Sequence, residues 1–133
     1  MKKLLLIPVL FLSFIMVSCS SDDDSGGNSN STVKFEAIVS QNRDSQIVTL
    51  IDSSSDTATN PTFPFTKVYS DVSITSGKTL QINFLDMTNV PVGATFSYTV
   101  QLKITIGNNE VKSQTFNVNE TTTAPISINY VVP

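Results

Sequence analysis

From Thr32 to its C-terminus the chain alternates apolar and polar residues with a period of two. Phe96, Tyr98, Val100, Leu102, Ile104 and Ile106 alternate with Ser97, Thr99, Gln101, Lys103 and Thr105. A strand with one face on a core and the other in water has this period. Val33, Phe35, Ala37 and Val39 repeat it, as do Leu80, Ile82 and Phe84, and again Ile126, Ile128, Tyr130 and Val132. Two runs are less regular: Ile47 to Ile51 is apolar on both faces, and Val68, Val72 and Ile74 are spaced unevenly. In a seventh run, Val111 to Val118, the apolar parity changes between Val111 and Phe116. Such a slip predicts a β-bulge near Ser113 to Thr115.

Turn-forming residues separate these runs at Asn42 to Ser45, Asp52 to Pro61, Ser76-Gly77, Asn89 to Gly93 and Gly107 to Asn109. The stretch DSSSDTATNP from Asp52 to Pro61 reads as one long loop, and Gly107 to Asn109 is short enough for a hairpin. No ten-residue helical pattern follows Cys19. Seven strands in residues 32–133 predict an all-β fold, an antiparallel sandwich of two sheets. The last strand, Ile126 to Val132, follows a polar connection from Asn119 to Pro125, long enough to cross between sheets. It is expected to pair inside the sandwich; donation to another subunit would use the same alternation.

The first residues follow a different pattern. Lys2 and Lys3 precede an apolar run from Leu4 to Val17, interrupted only by Pro8 and Ser13. Its 14 residues would cover about 21 Å as a helix, short of the roughly 30 Å hydrocarbon core of a bilayer. The run is apolar on every side, so a half-buried amphipathic helix is also a poor fit. A basic start and a short apolar stretch make a secretory signal.

This signal ends in Met16-Val17-Ser18-Cys19, which resembles the lipobox of bacterial lipoproteins, with Met where Leu is commonest. The resemblance implies cleavage after Ser18, so that residues 1–18 are a signal peptide. It also implies a diacylglyceryl group on the Cys19 thiol and a further acyl chain, such as palmitate, on the new amino terminus. Two or three chains give firm membrane attachment. Ser20-Ser21-Asp22-Asp23-Asp24 resembles the acidic export signal that sends some Gram-negative lipoproteins to the outer face of the outer membrane. As a plain charge run, Asp22, Asp23 and Asp24 would simply keep the tether extended. Ser25 to Ser31, SGGNSNS, completes a flexible tether over residues 19–31.

The stretch LDMTNVPVGATFSYTVQLKI, Leu85 to Ile104, resembles the corner of fibronectin type III and immunoglobulin-like domains where Leu, Pro and Gly lead into an aromatic strand. The resemblance implies a seven-stranded immunoglobulin-like sandwich with Tyr98 near the corner tyrosine position. The buried Trp and the inter-sheet disulfide of antibody domains are missing.

Composition narrows the chemistry. The 133 residues carry 14% charged side chains, net charge −3, no His, no Trp and one Cys. Serine triads, Cys-His nucleophiles and His-containing zinc sites are excluded. No basic cluster is present to meet a phosphate backbone, so nucleic acid is not an expected partner. Neither a cofactor nor a metal is expected.

Several short matches dissolve on inspection. Ser31 to Lys34 has the spacing of the penicillin-binding nucleophile but none of its partner motifs, and Ser76 to Thr79 ends like a phosphate loop without its first Gly or its helix. Eight carboxylates follow the tether: Glu36, Asp44, Asp52, Asp56, Asp71, Asp86, Glu110 and Glu120. Glycosidase work needs two of them across a cleft, which a sandwich this small rarely builds. Asp52, Asp56 and Asn60 offer oxygens for a weak Ca²⁺ site, or form a solvated loop. Asp56-Thr57-Ala58 resembles the acceptor motif for O-linked glycans in some Gram-negative bacteria, which would make Thr57 the modified residue. Phe63 and Phe65, flanking Pro64, are the expected exposed aromatic pair and candidate ligand contacts.

Two classes of function fit these residues. One is a lipid-anchored, surface-exposed, non-enzymatic binding or adhesion module with an unidentified protein or glycan partner. The other is a small carbohydrate-binding or hydrolytic accessory of a nutrient uptake system, against which stands the scarcity of exposed aromatics. For the anchor, mass spectrometry of membrane-extracted protein is expected to find an amino-terminal diacylglyceryl-Cys at Cys19. Unacylated chain beginning at Met1 in the native host would contradict it.

Overall fold

The computed structural model describes residues 29–133, and the leader, Cys19 and Asp22 to Asp24 lie outside them. The described chain is all-β, with eight strands: β1 Ser29–Val39, β2 Ser45–Ile51, β3 Ser54–Thr59, β4 Phe65–Ile74, β5 Thr79–Asp86, β6 Ser97–Ile106, β7 Asn109–Asn119 and β8 Ile126–Val131. They form two antiparallel four-stranded sheets, ordered β4-β1-β6-β7 and β3-β2-β5-β8, stacked as a sandwich. Val33, Phe35, Ala37, Val100, Leu102 and Ile104 of the first sheet meet Ile47, Leu80, Ile82, Phe84 and Ile128 of the second in one core. Each set is the apolar half of an alternating strand.

Eight strands replace the expected seven because Ser54–Thr59, read as loop, pairs with β2 from Ile51↔Ser54 to Gln46↔Thr59. It turns back through Asp52-Ser53, with Asp52 in the left-handed region at φ 53°. β3 escapes detection because it is an edge strand. Its core-side positions, opposite Ile51, Thr49 and Ile47, are Ser54, Asp56 and Ala58, so no apolar alternation marks it. β1 likewise begins at Ser29, inside the expected tether, because Ser29 to Ser31 pair with Ile74 to Val72.

Two irregularities shift parity. In β7 the bulge is not at Ser113 to Thr115; Ile104↔Lys112 is followed by Thr105↔Glu110, so Val111 is the extra residue. Gln114 and Lys112 share the core face yet stay exposed at the sheet edge, which disguises the true point of slip. In β4 the pairs Val33↔Tyr69 and Ser31↔Val72 enclose a bulge whose Asp71 has φ 57°. The slip turns Tyr69, Val72 and Ile74 toward the core and leaves Val68 outside, half exposed.

The β6–β7 connection is the expected hairpin, with Ile106↔Asn109 closing Gly107-Asn108 and Gly107 at φ 58°. Only the first turn residue has positive φ, the type II′ form that suits strand twist. Ser76-Gly77 is instead a corner between sheets. Lys78 N donates to Thr75 O at 3.1 Å, and the turn passes from β4 in one sheet to β5 in the other.

β8 pairs with β5 within the same chain, Phe84↔Ile126 through Thr79↔Val131, and buries Ile128 in the core. Ile128→Ala is expected to cost about 2–5 kcal/mol, the range for emptying a buried Ile site. Val131→Ala, at a 54% exposed position, should change stability by less than about 0.5 kcal/mol. Urea unfolding of the two variants measures the contrast.

Candidate functional site at the loop end

The connections divide by length between the two ends of the sandwich. Residues 52–53, 75–78 and 107–108 make tight turns at the end where Ser29 enters. Residues 40–44, 60–64, 87–96 and 120–125 gather at the opposite end. Exposed loops held by a rigid scaffold are the usual carriers of binding.

Arg43, the chain's single Arg, organises this loop end. It sits between β1 and β2, and its Nε donates to Asp86 Oδ2 at 2.7 Å. Tyr98 OH donates to the same oxygen at 2.6 Å, tying β6 of one sheet to the end of β5 in the other. Thr88 N donates to Asp86 Oδ1 at 2.8 Å. The guanidinium lies 3.8 Å from the Phe96 ring centroid, and Phe96 stacks on Tyr98 at 6.0 Å. Stacking on a ring leaves the planar fork of Arg free to pair sideways, which a Lys could not reproduce.

The side chains of Arg43 and Asp86 are only 12% and 7% exposed. Burial pushes the Asp86 carboxyl up, but donors from Tyr98, Thr88 and Arg43 outweigh it and hold the group below its ordinary value. Burial and, after it, the neighbouring carboxylate push the Tyr98 phenol well above its ordinary value. Arg43 Nη2 is buried without a partner, as is Ser45 Oγ at the start of β2. Unpaired buried polar atoms are rare in folded proteins.

Three clefts meet around this cluster. One of about 430 Å³ runs between Asn42, Arg43 and Asp44 on one side and Asn60, Thr62 and Phe63 on the other. A second, of about 250 Å³, lies between Arg43, Phe96 and the Thr88 to Pro91 stretch. The third, of about 270 Å³, is walled by Phe96, Asp86, Glu120 and Thr122. Val92, fully exposed, caps the longest loop beside them. A larger cleft of about 510 Å³ opens on the side of the sandwich between Asp52 to Asp56 and Tyr69. There Asp52 is already held by Lys78 Nζ at 2.8 Å and Asp56 by Lys67.

Sequence-based candidates are scattered by the fold. Phe63 and Phe65 are half-buried against the core, with Phe63 6.2 Å from the Phe84 ring, so the expected exposed pair does not form. Only Phe63 borders a cleft of the loop end. Thr57 is exposed on edge strand β3, opposite Val48. Asp52, Asp56 and Asn60 are not assembled as cation ligands: two are in ion pairs, and Asn60 Oδ1 accepts from Ser45 N at 3.0 Å. Ser31 and Lys34 both lie on β1, where Lys34 pairs with Glu36 at 3.0 Å. Lys78, within the Ser76 to Thr79 match, is mostly covered and paired with Asp52. Of the eight carboxylates, Glu36, Asp52, Asp56, Asp86 and Glu110 are committed to basic partners.

The sequence puts Arg43 within the turn Asn42 to Ser45 and Asp86 in the Leu85 to Ile104 corner, with no feature that joins them. The available signal was a lone Arg among lysines, the residue suited to a stacked, bidentate site. No family model matches the chain, and comparisons with curated proteins and with solved structures give no match.

Because the folded state lowers the Asp86 carboxyl, this group contributes stability above the ordinary carboxylate range and loses it as pH falls through the lowered value. Asp86→Asn is expected to flatten the loss of stability between about pH 5 and pH 2. Urea midpoints across that window measure it; an unchanged slope would show that the carboxylate contributes nothing to acid unfolding.

Proposed function

We propose that this protein is a lipid-anchored, surface-exposed, non-enzymatic binding or adhesion module. Residues 1–18 would be the signal peptide, Cys19 the acylated anchor, and Asp22 to Asp24 the export signal to the exterior face of the outer membrane. The observation that carries the reading is the division between the two ends. The chain enters beside the tight turns, while Arg43, the long loops and three clefts lie at the other end. With Ser20 to Asn28 as the free tether, the domain would stand about 17 Å from the headgroups. An anchor at the N-terminus would then leave the clefts facing outward, toward a protein or glycan partner.

The immunoglobulin-like type of the sandwich belongs to the same proposal. It is supported by the Leu85 to Ile104 resemblance and by Tyr98, whose hydroxyl joins the two sheets through Asp86. In the order β4-β1-β6-β7 the first strand is internal, so any kinship would be one of architecture with altered strand order.

A carbohydrate-binding role is favoured by the cleft beside Arg43, where Asn42, Asn60 and Thr62 offer amides and a hydroxyl next to Phe63. A glycan array comparing the protein with Asn42→Ala/Thr62→Ala separates this reading from protein adhesion. For surface display, Asp22→Ala/Asp23→Ala/Asp24→Ala is expected to leave the chain lipidated but protected from protease added to whole cells. Equal digestion of both chains would reduce the acidic run to a tether.

A further inference from the structure

A sandwich has four edge strands, and each presents unpaired backbone groups that another strand could join. Two of these edges are blocked, and a third is interrupted at its start. β3 turns Asp56 inward against Lys67 of β4, and β4 adds the Asp71 bulge. β7 carries the Val111 bulge between Glu110 and Lys112. Inward charges and bulges are both devices that keep strands from adding.

β8 has neither. Its sequence ISINYV holds no charged residue, and its pairing with β5 runs from Ile126 to Val131 without a register shift. Pro125 and Pro133 fall outside the strand. Val132 N donates to Lys78 O, and Val132 O accepts from Gly77 N. Alternation along an antiparallel ladder therefore directs the backbone of Ile126, Ile128 and Tyr130 to β5 and that of Ser127, Asn129 and Val131 outward. All three outward residues are exposed.

We propose that this open edge joins a second copy of the chain, β8 to β8, antiparallel about a two-fold axis at Asn129. The strand is complementary to itself in that register. Ser127 opposes Val131 and Asn129 opposes its own counterpart, giving about six backbone hydrogen bonds. On the core side Ile128 meets Tyr130 and Ile126 meets Val132, which covers the half-buried Ile126 and Tyr130. A register centred on Ile128 would set Pro125, which has no N–H, opposite Val131 and lose donors. The chain is net −3, yet no like charges meet across this edge. The product is a continuous eight-stranded sheet whose two loop ends are left free but point in opposite directions. The outward-facing stance proposed for one anchored copy thus becomes a lateral one when two copies share a membrane.

In a hydrogen-bonded antiparallel pair the Cα atoms lie about 5.5 Å apart, within disulfide range. The test uses the full chain in detergent with Cys19→Ser, so that one introduced thiol is present. Asn129→Cys is expected to give a covalent dimer on mild oxidation, while Val68→Cys, exposed on the outer face of the other sheet, stays monomeric. Asn129→Lys, which opposes two positive charges, is expected to abolish the dimer seen by sedimentation while leaving the far-ultraviolet circular dichroism unchanged. Cross-linking at Asn129 no faster than at Val68, a monomer at every concentration, or a dimer indifferent to Asn129→Lys would each overturn the proposal.

Discussion

Between the sheets, Phe35, Leu102 and Ile104 from one side and Ile82, Phe84 and Leu80 from the other are removed from water, and the strand pairings depend on this layer. Neither the β1–β6 nor the β2–β5 pairing is set by a local turn, because long stretches of chain separate the partners. Only the β2–β3 and β6–β7 connections stay within a sheet; the other five cross between sheets. The chain thus pairs strands distant in sequence, and the loop-closure entropy of doing so is offset by burying both inner faces together. With a single Cys in the sequence, an internal disulfide has no part in this.

The two ends of that layer are finished differently. Near Ser29 the turns are tight, and their polar contacts stay within one sheet, where Asp52 accepts from Lys78 Nζ and Thr79 N. At the other end the sheets are joined by polar groups: Asp86 accepts from Tyr98 across the sandwich and from Arg43 on the connecting loop. A buried carboxylate is tolerable only when its oxygens are satisfied, and here three donors do so. The arrangement ties the 40–44 loop to both ends of the 87–96 loop, so that the clefts above them have rigid floors. Rigidity beneath and exposed polar loops above are what a recognition surface requires.

One side of the sandwich is also closed by polar contacts. Lys67 and Asp56 both point toward the core face yet meet at its margin, and the Thr49 and Tyr69 hydroxyls share a hydrogen bond at 2.7 Å beside them. Each pair joins a strand of one sheet to a strand of the other. Such exposed ion pairs contribute little stability. Their greater effect is on the edges, where an inward charge discourages the addition of foreign strands.

Much of the architecture was legible in the chain because a period of two survives wherever one strand face is buried. The runs through Phe35, Ile82, Leu102 and Ile128 therefore announced an all-β sandwich and most of its core, and Gly107 announced its hairpin. Where burial weakens at an edge, the signal fails. Ser54–Thr59 carries Ala58, Asp56 and Ser54 on its core side and reads as loop, and the bulges at Asp71 and Val111 hide the true parity of their strands. The site was illegible for another reason. Arg43, Asp86 and Tyr98 belong to three separate segments, and nothing local reports that a loop arginine will stack on Phe96 and reach a carboxylate at the end of β5. The sequence by itself determined which residues avoid water and with what period. Strand order, the eighth strand and the joining of those three side chains were decided by tertiary structure, because they depend on contacts between residues far apart along the chain.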